Sequence, residues 1–264
     1  PSPAASDGIG KDARRRVLWG SFIGNFVEWF DYAVYGYLAS TIAAAFFPDS
    51  DKQTALLATF AVFAISFFVR PLGGFVWGHI GDRLGRRTAL SLSILIMSGA
   101  TFCIALIPPY AMIGVGAPII LLVIRVIQGF SAAGEYAGAS AFLVEYAPAH
   151  RRGLYAAVVP ASTAAGLLLG SLLAALLSIV LSDSEMAAWG WRLPFLLAAP
   201  MGLIGRYIRT KLEDTPVFQE LEERGEVEEK NSMKALVTKH WRPMVIMFGL
   251  VACLNMVNYT LLSY

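Results

Sequence analysis

The chain has 264 residues, of which 56% are apolar and 15% are charged, whereas a soluble domain carries roughly 25% charged residues. Together with a positive mean hydropathy of +0.59, this composition excludes an ordinary soluble protein and predicts an integral membrane protein. The formal net charge of +2 is spread over loops, so we expect no nucleic-acid partner. The two cysteines, Cys103 and Cys253, lie in apolar runs and are typical of neither a disulfide framework nor a metal site.

Residues 1–16 are polar and basic and lack the order of regions found in a secretory signal peptide, so we interpret them as a cytoplasmic N-terminal tail. A transmembrane helix needs about 20 apolar residues to cross the bilayer. Apolar runs of that length predict an all-α membrane protein with six spans and the start of a seventh. The six spans are expected at 17–47, 53–81, 88–108, 108–144, 153–182 and 190–208, and the seventh at 243–264.

These runs predict how the rest of the chain is organised. We expect a six-helix transmembrane bundle at 17–208, an interdomain linker at 209–241 and the first helix of a second bundle at 242–264. Since no partner helices follow that last helix, the chain is expected to be one half of a larger protein. The linker contains FQELEERGEVEEKNSMK, a run of charges that is typical of a solvated surface helix.

Basic residues fall mainly on one side of the predicted spans. Most of the 21 Lys and Arg lie in the N-terminal tail, in the loops GDRLGRR and HRRG, and in the stretch 206–242, whereas Lys52 lies in a loop on the opposite side. By the positive-inside rule, the tail and the linker of this multi-pass protein are predicted to lie on the cytoplasmic side of the cell membrane.

The first predicted span carries two acids, Glu28 and Asp31, in the sequence GNFVEWFDYAVYGY. Three residues apart on a helix, they share one face with Tyr35, and the cost of a charge in hydrocarbon makes that face a functional candidate. Both acids are therefore predicted to be proton-coupling residues. Trp29, Tyr32 and Tyr35 are predicted to help bind an ammonium group by cation–π attraction, although aromatic residues in membrane helices are also common packing residues.

The fourth span contains further polar residues at membrane depth. Arg125 is predicted to hold a substrate carboxylate or to alternate between the two acids of the first span, and Gln128, one turn away, is predicted to bind substrate with it. A permanent buried ion pair is the alternative role for Arg125. Arg70 and Arg192 lie near span ends or kinks, and we interpret them as structural pairs or interfacial anchors.

Two loops on the predicted cytoplasmic side, GHIGDRLGRRTAL and FLVEYAPAHRRG, combine glycines with opposite charges. Such loops can latch helix ends together and release them, although a basic turn that only sets topology is the alternative. Glu135, among small residues of the fourth span, is interpreted as part of this charge cluster or of a close helix contact. The predicted gate residues are Gly78, Asp82, Arg83, Gly85, Arg86, Arg87, Glu135, Glu145, Arg151 and Arg152.

Catalytic and metal-binding patterns are missing from the predicted spans. The three histidines, His79, His150 and His240, lie in loops or in the linker and have no partner at a usable metal-ligand spacing. No nucleophile at membrane depth is accompanied by a base, as an enzyme would require. A purely structural membrane subunit would not need charges inside the bilayer, so a transporter is the predicted class.

Four segments resemble, in order and spacing, the metabolite:proton symporter family of the major facilitator superfamily. They are GNFVEWFDYAVYGY, FFVRPLGGFVWGHIGDRLGRR, QGFSAAGEYAGASAFLVEYAPAHRRG and WGWRLPFLLAAPMGLIGRYIRTKLEDTPVFQE. The resemblance covers nearly all of residues 17–264 and is strongest to the osmolyte carriers for proline and glycine betaine. Carried over to this chain, it makes Glu28 and Asp31 the first-helix acids, Asp82 the acid of the gate loop and Arg125 the basic residue of the fourth helix.

The resemblance implies twelve helices in two six-helix bundles, which expose a central site alternately to the two sides of the membrane. The implied function is proton-coupled symport of a small zwitterionic osmolyte, with no cofactor beyond the proton as coupling ion. A carrier of an organic acid such as 2-oxoglutarate, citrate or shikimate is the alternative within the family. The implied partners are the small-molecule substrate, protons, the lipid bilayer and a C-terminal six-helix half of the same transporter.

Overall fold

The computed structural model describes residues 11–212, 214–215, 218–220 and 241–263. These residues are almost entirely helical. The helices are α1 Lys11–Tyr37, α2 Ala39–Phe46, α3 Lys52–Leu84, α4 Arg86–Leu106, α5 Tyr110–Ile113, α6 Gly116–Tyr146, α7 Arg152–Ala156, α8 Val158–Val180, α9 Asp183–Glu185, α10 Arg192–Thr210 and α11 Trp241–Ser263. A 3₁₀ turn at Ala149–Arg151 precedes α7, and a π-helical turn at Met186–Gly190 precedes α10.

Two of the predicted spans are bent. The span predicted at 17–47 consists of α1 and α2, which meet at Leu38. The Leu38 amide still donates to the Val34 carbonyl at 3.0 Å, so the two helices form one bent rod. The span predicted at 153–182 is divided in the same way between α7 and α8, where Pro160 has no N–H to donate to the preceding turn.

The fourth predicted span begins later than expected. The sequence predicts it from residue 108, whereas α4 ends at Leu106 and α6 begins at Gly116, with the one-turn helix α5 between them. Pro109 precedes α5 in extended backbone, and Gly114 ends α5 with a φ of +57°. That left-handed conformation favours glycine, and it turns the chain before α6 starts.

Glycines allow the long helices to approach each other closely. Helix α1 packs along α8 and α10, helix α3 along α6 and α4, and helix α4 along α10. A Cβ atom on Gly166 of α8 would lie 2.6 Å from the Phe26 carbonyl oxygen, and one on Gly170 would lie 2.7 Å from the Ala33 Cβ. Small residues four positions apart are the usual means by which membrane helices bring their backbones together.

A polar layer lies between two apolar clusters of the bundle. On α6, Leu121 and Ile124 belong to one cluster, and Phe142 and Leu143 belong to the other. The buried polar residues between them on this helix are Arg125, Gln128, Ser131 and Glu135. Because lipid offers no hydrogen bonds, these side chains need partners inside the bundle.

The outer surface of the bundle is apolar, with large side chains such as Phe68 and Ile179 exposed. Within the described part of the chain, four helical stretches are long and apolar enough to cross a membrane: Lys52–Leu84, Arg86–Leu106, Gly116–Tyr146 and Ala149–Val180. Helices α1 and α10 pack in the same bundle but carry buried charges, Glu28 and Arg209 among them, which lower their hydropathy. This surface is that of a multi-pass membrane protein.

The chain divides into two compact units, Pro1–Val227 and Glu228–Tyr264. The first contains α1 to α10, and the second contains α11, whose described side chains are mostly exposed. The linker predicted at 209–241 begins within α10, and most of its residues lie outside the described ones. Of the tail predicted at 1–16, residues 11–16 already belong to α1, and the others also lie outside the described residues.

Gly166→Ala is expected to destabilise the bundle, because the added methyl group would collide with the α1 backbone. We expect the free energy of unfolding to fall by about 1–3 kcal/mol, the usual cost of overpacking. The measurement is unfolding of the purified protein in detergent. Gly99→Ala on α4 is the matched control, since no described atom beyond its chain neighbours and the adjacent backbone of its own helix lies within 4 Å of its Cβ position. Equal losses in the two variants would contradict the close contact of α1 with α8.

Candidate functional site

Asp31 of α1 and Arg125 of α6 form a fully buried ion pair. Arg125 Nη1 lies 2.6 Å from Asp31 Oδ2, and both side chains are 0% exposed. Two buried charges are tolerated when they neutralise each other and their remaining atoms are hydrogen-bonded. The second carboxylate oxygen, Asp31 Oδ1, accepts a hydrogen bond from Gln128 Nε2 at 3.3 Å. The charge on α1 is therefore balanced by residues of α6.

Aromatic and polar side chains enclose this pair. The Arg125 guanidinium lies 3.7 Å from the centroid of the Tyr35 ring, and the Tyr35 hydroxyl donates to the Thr59 carbonyl of α3 at 3.0 Å. Gln128 Nε2 also donates to Thr101 Oγ1 of α4 at 2.7 Å. The pair thus joins four helices. Arg125 Nε and Nη2 find no hydrogen-bond partner among the described residues, so the guanidinium retains unused donors.

Glu28, one turn earlier on α1, has a different partner. Arg70 Nη2 of α3 lies 2.5 Å from Glu28 Oε1, and the same nitrogen donates to the Tyr32 hydroxyl. The Glu28 side chain is buried, whereas that of Arg70 is 24% exposed. The guanidinium also lies 5.3 Å from the Tyr32 centroid and 4.7 Å from the Phe67 centroid. The second pair is therefore partly open and bordered by aromatic rings.

The two predicted acids thus have separate cations. Of the roles considered for Arg125, alternation between the two acids has it meet both, whereas the structure pairs it with Asp31 and brings Arg70 to Glu28. Arg70, interpreted above as a structural pair or interfacial anchor, faces a predicted site residue. The buried residues of α3 recur at Thr59, Val62, Ser66, Gly73 and Trp77. Arg70 falls on that same face of the helix, and this spacing is the signal that identifies it in the sequence.

The predicted aromatic residues divide between the two pairs. Tyr35 covers Arg125 and closes the first pair off. Tyr32 contacts Arg70, and Trp29 packs edge-to-face against Tyr32 with ring centroids 5.6 Å apart. Trp29 and Tyr32 therefore lie beside the second pair. The predicted substrate residues do not all meet at one point.

A third buried ion pair, Glu135 with Arg209, joins α6 to the end of α10. Arg209 Nη2 contacts Glu135 Oε1, and Arg209 Nη1 donates to Glu135 Oε2 at 3.0 Å. Arg209 Nε donates to the Gly20 carbonyl of α1 at 2.8 Å, and Ser93 Oγ of α4 donates to Glu135 Oε2 at 2.9 Å. Glu135, a predicted gate residue, thus lies in a buried junction of four helices.

The sequence does not predict Arg209 as a site residue, because it places Arg209 at the start of the cytoplasmic linker. The buried residues of α10 include Phe195, Ala198, Gly202 and Gly205. Arg209 continues this helical spacing, so its place on the buried face follows from the same pattern. An arginine on the apolar face of a membrane helix calls for an acidic partner, which Glu135 provides.

The two predicted gate loops meet at Arg86. Its Nη2 lies 3.2 Å from Asp82 Oδ1, and its Nε lies 3.8 Å from Glu145 Oε1. Arg151 and Arg152 are exposed, and within the described ranges neither forms an ion pair with Glu145. The acid of the second loop is therefore paired with the first loop rather than with its own arginines.

The turn between α3 and α4 also holds the chain that follows α10. Gly85 adopts a φ of +90°, and a side chain there would collide with the Asp214 carboxylate. Asp214 Oδ1 accepts from the Arg87 amide at 3.2 Å, and Arg87 Nη1 donates to the Leu212 carbonyl at 2.8 Å. The Tyr146 hydroxyl donates to the Asp214 carbonyl at 3.0 Å. Gly85 and Arg87 are predicted residues, whereas Asp214 is one that the sequence analysis missed.

The remaining predicted gate residues lie nearby. Gly78 lines a cavity of about 280 Å³ between α3, α4 and α6, to which Gly81, Arg86 and Gly134 also contribute. Arg83 is exposed on the last turn of α3. Among the described residues, no three acidic, cysteine or histidine side chains are grouped as metal ligands would be.

Glu135→Gln is expected to destabilise the bundle strongly, because it leaves the Arg209 charge buried without a counter-charge. The free energy of unfolding should fall by about 3–5 kcal/mol, as when one partner of a buried pair is removed. Glu145→Gln is the matched control, because Glu145 is 23% exposed and its pair should contribute at most about 1 kcal/mol. Unfolding of both variants in detergent measures the difference. Losses of similar size would contradict a special role for the buried pair.

Comparison with known proteins identifies relatives of the chain. The family model described as Sugar (and other) transporter matches residues 17–246. The chain is 42% identical to the glycine betaine/proline/ectoine/pipecolic acid transporter OusA of Dickeya dadantii and 43% identical to the proline/betaine transporter of Salmonella typhimurium. The ectoine/proline transporter ProP of Corynebacterium glutamicum is 37% identical. Each alignment covers 95% of this chain and 52% of the relative, so the chain spans about half the length of these curated relatives.

Solved structures share the fold. The major facilitator superfamily proton:xylose symporter XylE, bound to 6-bromo-6-deoxy-D-glucose, superposes with a TM-score of 0.72 at 18% identity, over 83% of this chain and 48% of that chain. Inward-open XylE from E. coli gives a TM-score of 0.70 at 17% identity, over 89% of this chain and 56% of that chain. These likenesses confirm the predicted fold class, the N-terminal bundle of that superfamily. The family model, which matches most of the chain, shows that the chain belongs to the family of sugar and other transporters.

Proposed function

We propose that this chain is part of a proton-coupled symporter that carries a small zwitterionic osmolyte, such as proline or glycine betaine, by alternating access. The observation that carries this proposal is the buried pair of Asp31 and Arg125. It places a carboxylate that can take up a proton against a permanent cation, in the polar layer of a transporter fold. The protein acts as a carrier and not as an enzyme.

The charges of the site support a zwitterion as the substrate. Arg125 is matched by Asp31 and Arg70 by Glu28, so these four charges cancel. A site whose charges already cancel favours a molecule that brings both signs, because a lone anion would leave one protein charge unpaired. The relatives compared above are, by their names, transporters of proline, betaine or ectoine. An organic acid such as 2-oxoglutarate has less support, since it would add net negative charge.

Asp31 provides the route by which a proton drives transport. A protonated Asp31 no longer balances the Arg125 charge, and a buried cation without a counter-charge is strongly unfavourable. The pair therefore has to rearrange when the proton arrives. Because the two residues belong to α1 and α6, this rearrangement changes how the helices of the bundle contact each other. Proton binding and substrate binding are linked through these helices.

The helix ends that carry Asp82, Arg86 and Glu145 act as the cytoplasmic gate. Their ion pairs are partly exposed, so each contributes about 0–1 kcal/mol and can break and re-form easily. We assign this end of the bundle and the N-terminal tail to the cytoplasmic side of the cell membrane, on the basis of the basic residues there. A second six-helix half completes the cavity.

Asp31→Asn is expected to abolish accumulation driven by a proton gradient, because asparagine cannot take up and release the proton. Exchange of labelled for unlabelled substrate should continue. Accumulation and exchange are both measured with the full-length transporter in proteoliposomes, with and without an imposed pH gradient. Asp183→Asn, which alters an exposed acid of α9, serves as the control and should accumulate substrate like the wild type. If Asp31→Asn and Glu28→Gln each keep full gradient-driven accumulation, coupling through α1 is wrong.

The substrate class is tested with the wild-type transporter in the same vesicles. Proline, glycine betaine and 2-oxoglutarate are compared as labelled substrates. We expect the two zwitterions to accumulate when a pH gradient is imposed and not in its absence, because the site balances both charges. Accumulation of 2-oxoglutarate alone would overturn the osmolyte assignment.

A further inference from the structure

The Glu28–Arg70 pair differs from the other two buried pairs in its accessibility. The Arg70 side chain is 24% exposed, whereas those of Arg125 and Arg209 are 0% and 2% exposed. Helices α1 and α3, which carry the pair, are not among the closely packed helices of the bundle, and they meet through long side chains such as Tyr32, Phe63 and Phe67. A small molecule can therefore reach the Arg70 side chain of this pair without separating closely packed backbones.

The pair and the neighbouring residue Trp29 carry unused hydrogen-bonding atoms. Glu28 Oε2, Arg70 Nε and Trp29 Nε1 are buried and have no hydrogen-bond partner among the described residues. They comprise one acceptor and two donors, at a depth where lipid supplies no partners. Because buried polar atoms without partners are costly, native proteins rarely keep them without a reason. Such atoms on a partly exposed ion pair and on the residue beside it point to a ligand that supplies the missing partners.

Aromatic rings form a wall beside the pair. Tyr32 contacts Trp29, Phe63 and Phe67 with ring centroids 5.2–5.7 Å apart, and the Arg70 guanidinium lies over Tyr32 and Phe67. The faces of such rings attract cations, including substituted ammonium groups. In this structure the Arg70 guanidinium occupies the position over the ring faces. If it moved towards a carboxylate of a ligand, the ring faces and Glu28 would be free for an ammonium group.

We propose that Glu28 and Arg70 together are the binding site for the zwitterionic substrate. Arg70 binds the substrate carboxylate through its planar guanidinium, and Glu28 binds the cationic nitrogen, with Trp29 and Tyr32 against its apolar substituents. This assignment rests on the proposed function and names the substrate site within it. It gives the carboxylate-binding role to Arg70 instead of Arg125, which Tyr35 covers and Asp31 neutralises.

Partner exchange is the physical basis of selectivity at this site. A zwitterion that enters between the two side chains replaces each protein partner with a charge of the same sign, so no charge loses its counter-charge. A lone anion would pair with Arg70 and leave Glu28 without a counter-charge. A lone cation would pair with Glu28 and leave Arg70 without one. Stranding a buried charge is strongly unfavourable. The pair therefore selects molecules that carry both charges a few bonds apart.

Three ligands of nearly equal shape test this site in the full-length transporter. Glycine betaine is the zwitterion, its primary amide is the matching cation, and 3,3-dimethylbutanoate is the matching anion. Their affinities are measured by titration calorimetry on the purified protein. Thermal unfolding without ligand establishes that each variant is folded. The order of preference among the three ligands does not depend on the amount of folded protein.

We expect the wild type to prefer glycine betaine over both analogues. In Arg70→Gln, the affinity for glycine betaine should fall about tenfold or more, as expected for the loss of a charge-assisted contact, and the cationic amide should become the preferred ligand. In Glu28→Gln, the anion should become the preferred ligand, because Arg70 is then unpaired. Arg70→Lys keeps the charge and should keep the wild-type order with weaker binding.

Arg192→Gln is the matched control. Arg192 is also partly exposed, but it donates to the Ala188 and Ile107 carbonyls at the start of α10. Its loss should leave the preference order unchanged. If Arg70→Gln and Glu28→Gln both keep the wild-type order, or lose all three ligands equally while folded, the pair is only structural and this assignment is overturned.

The same experiment separates the failure of this inference from that of the proposed function. A wild type that accumulates glycine betaine in response to a pH gradient, with variants that keep its preference, contradicts only the assignment of Glu28 and Arg70. A wild type that neither binds nor accumulates a zwitterion contradicts the proposed function as well. Opposite shifts of ligand preference in Arg70→Gln and Glu28→Gln support both the assignment of this pair and the proposed function.

Discussion

A charge inside hydrocarbon requires a counter-charge, and this requirement governs the centre of the bundle. Three arginines on three helices each meet a carboxylate that belongs to another helix. The pairs join α3 to α1, α6 to α1 and α10 to α6. Each pair fixes how two helices face each other, because a rotation of either helix would strand both charges in an apolar environment. The ion pairs therefore act as cross-links that determine the arrangement of the helices.

Helix packing decides which of these cross-links can open. Gly166 and Gly170 let the backbones of α1 and α8 approach closely, and Gly129 leaves α6 in close contact with Ser66 of α3. Such tight interfaces yield little space to a ligand. By contrast, α1 and α3 are joined mainly through long side chains. Accessibility is thus concentrated at Arg70, whose buried partner Glu28 lies on the helix that also carries the fully enclosed Asp31.

Two acids one turn apart on the same helix can do different work because their surroundings differ. Asp31 is enclosed by Tyr35, Arg125 and Gln128, which suits a group that exchanges a proton and is shielded from substrate. Glu28 lies beside an exposed cation and aromatic rings, which suits a group that meets a ligand. Since α1 carries both, a movement of this helix affects both sites, and under the proposed function this shared helix links proton binding to substrate binding.

Local sequence by itself determined the membrane class, the approximate helical runs, and the presence of Glu28, Asp31 and Arg125 inside them, because hydropathy and the cost of a buried charge are properties of short segments. It did not determine which cation meets which acid. Arg70 lies 42 residues from Glu28, Arg125 lies 94 residues from Asp31, and Arg209 lies 74 residues from its acid. Those pairings depend on how each helix is rotated and on which helix packs beside it. Only the tertiary structure sets the rotation and the neighbours of each helix, because both depend on the close packing of several helices at once.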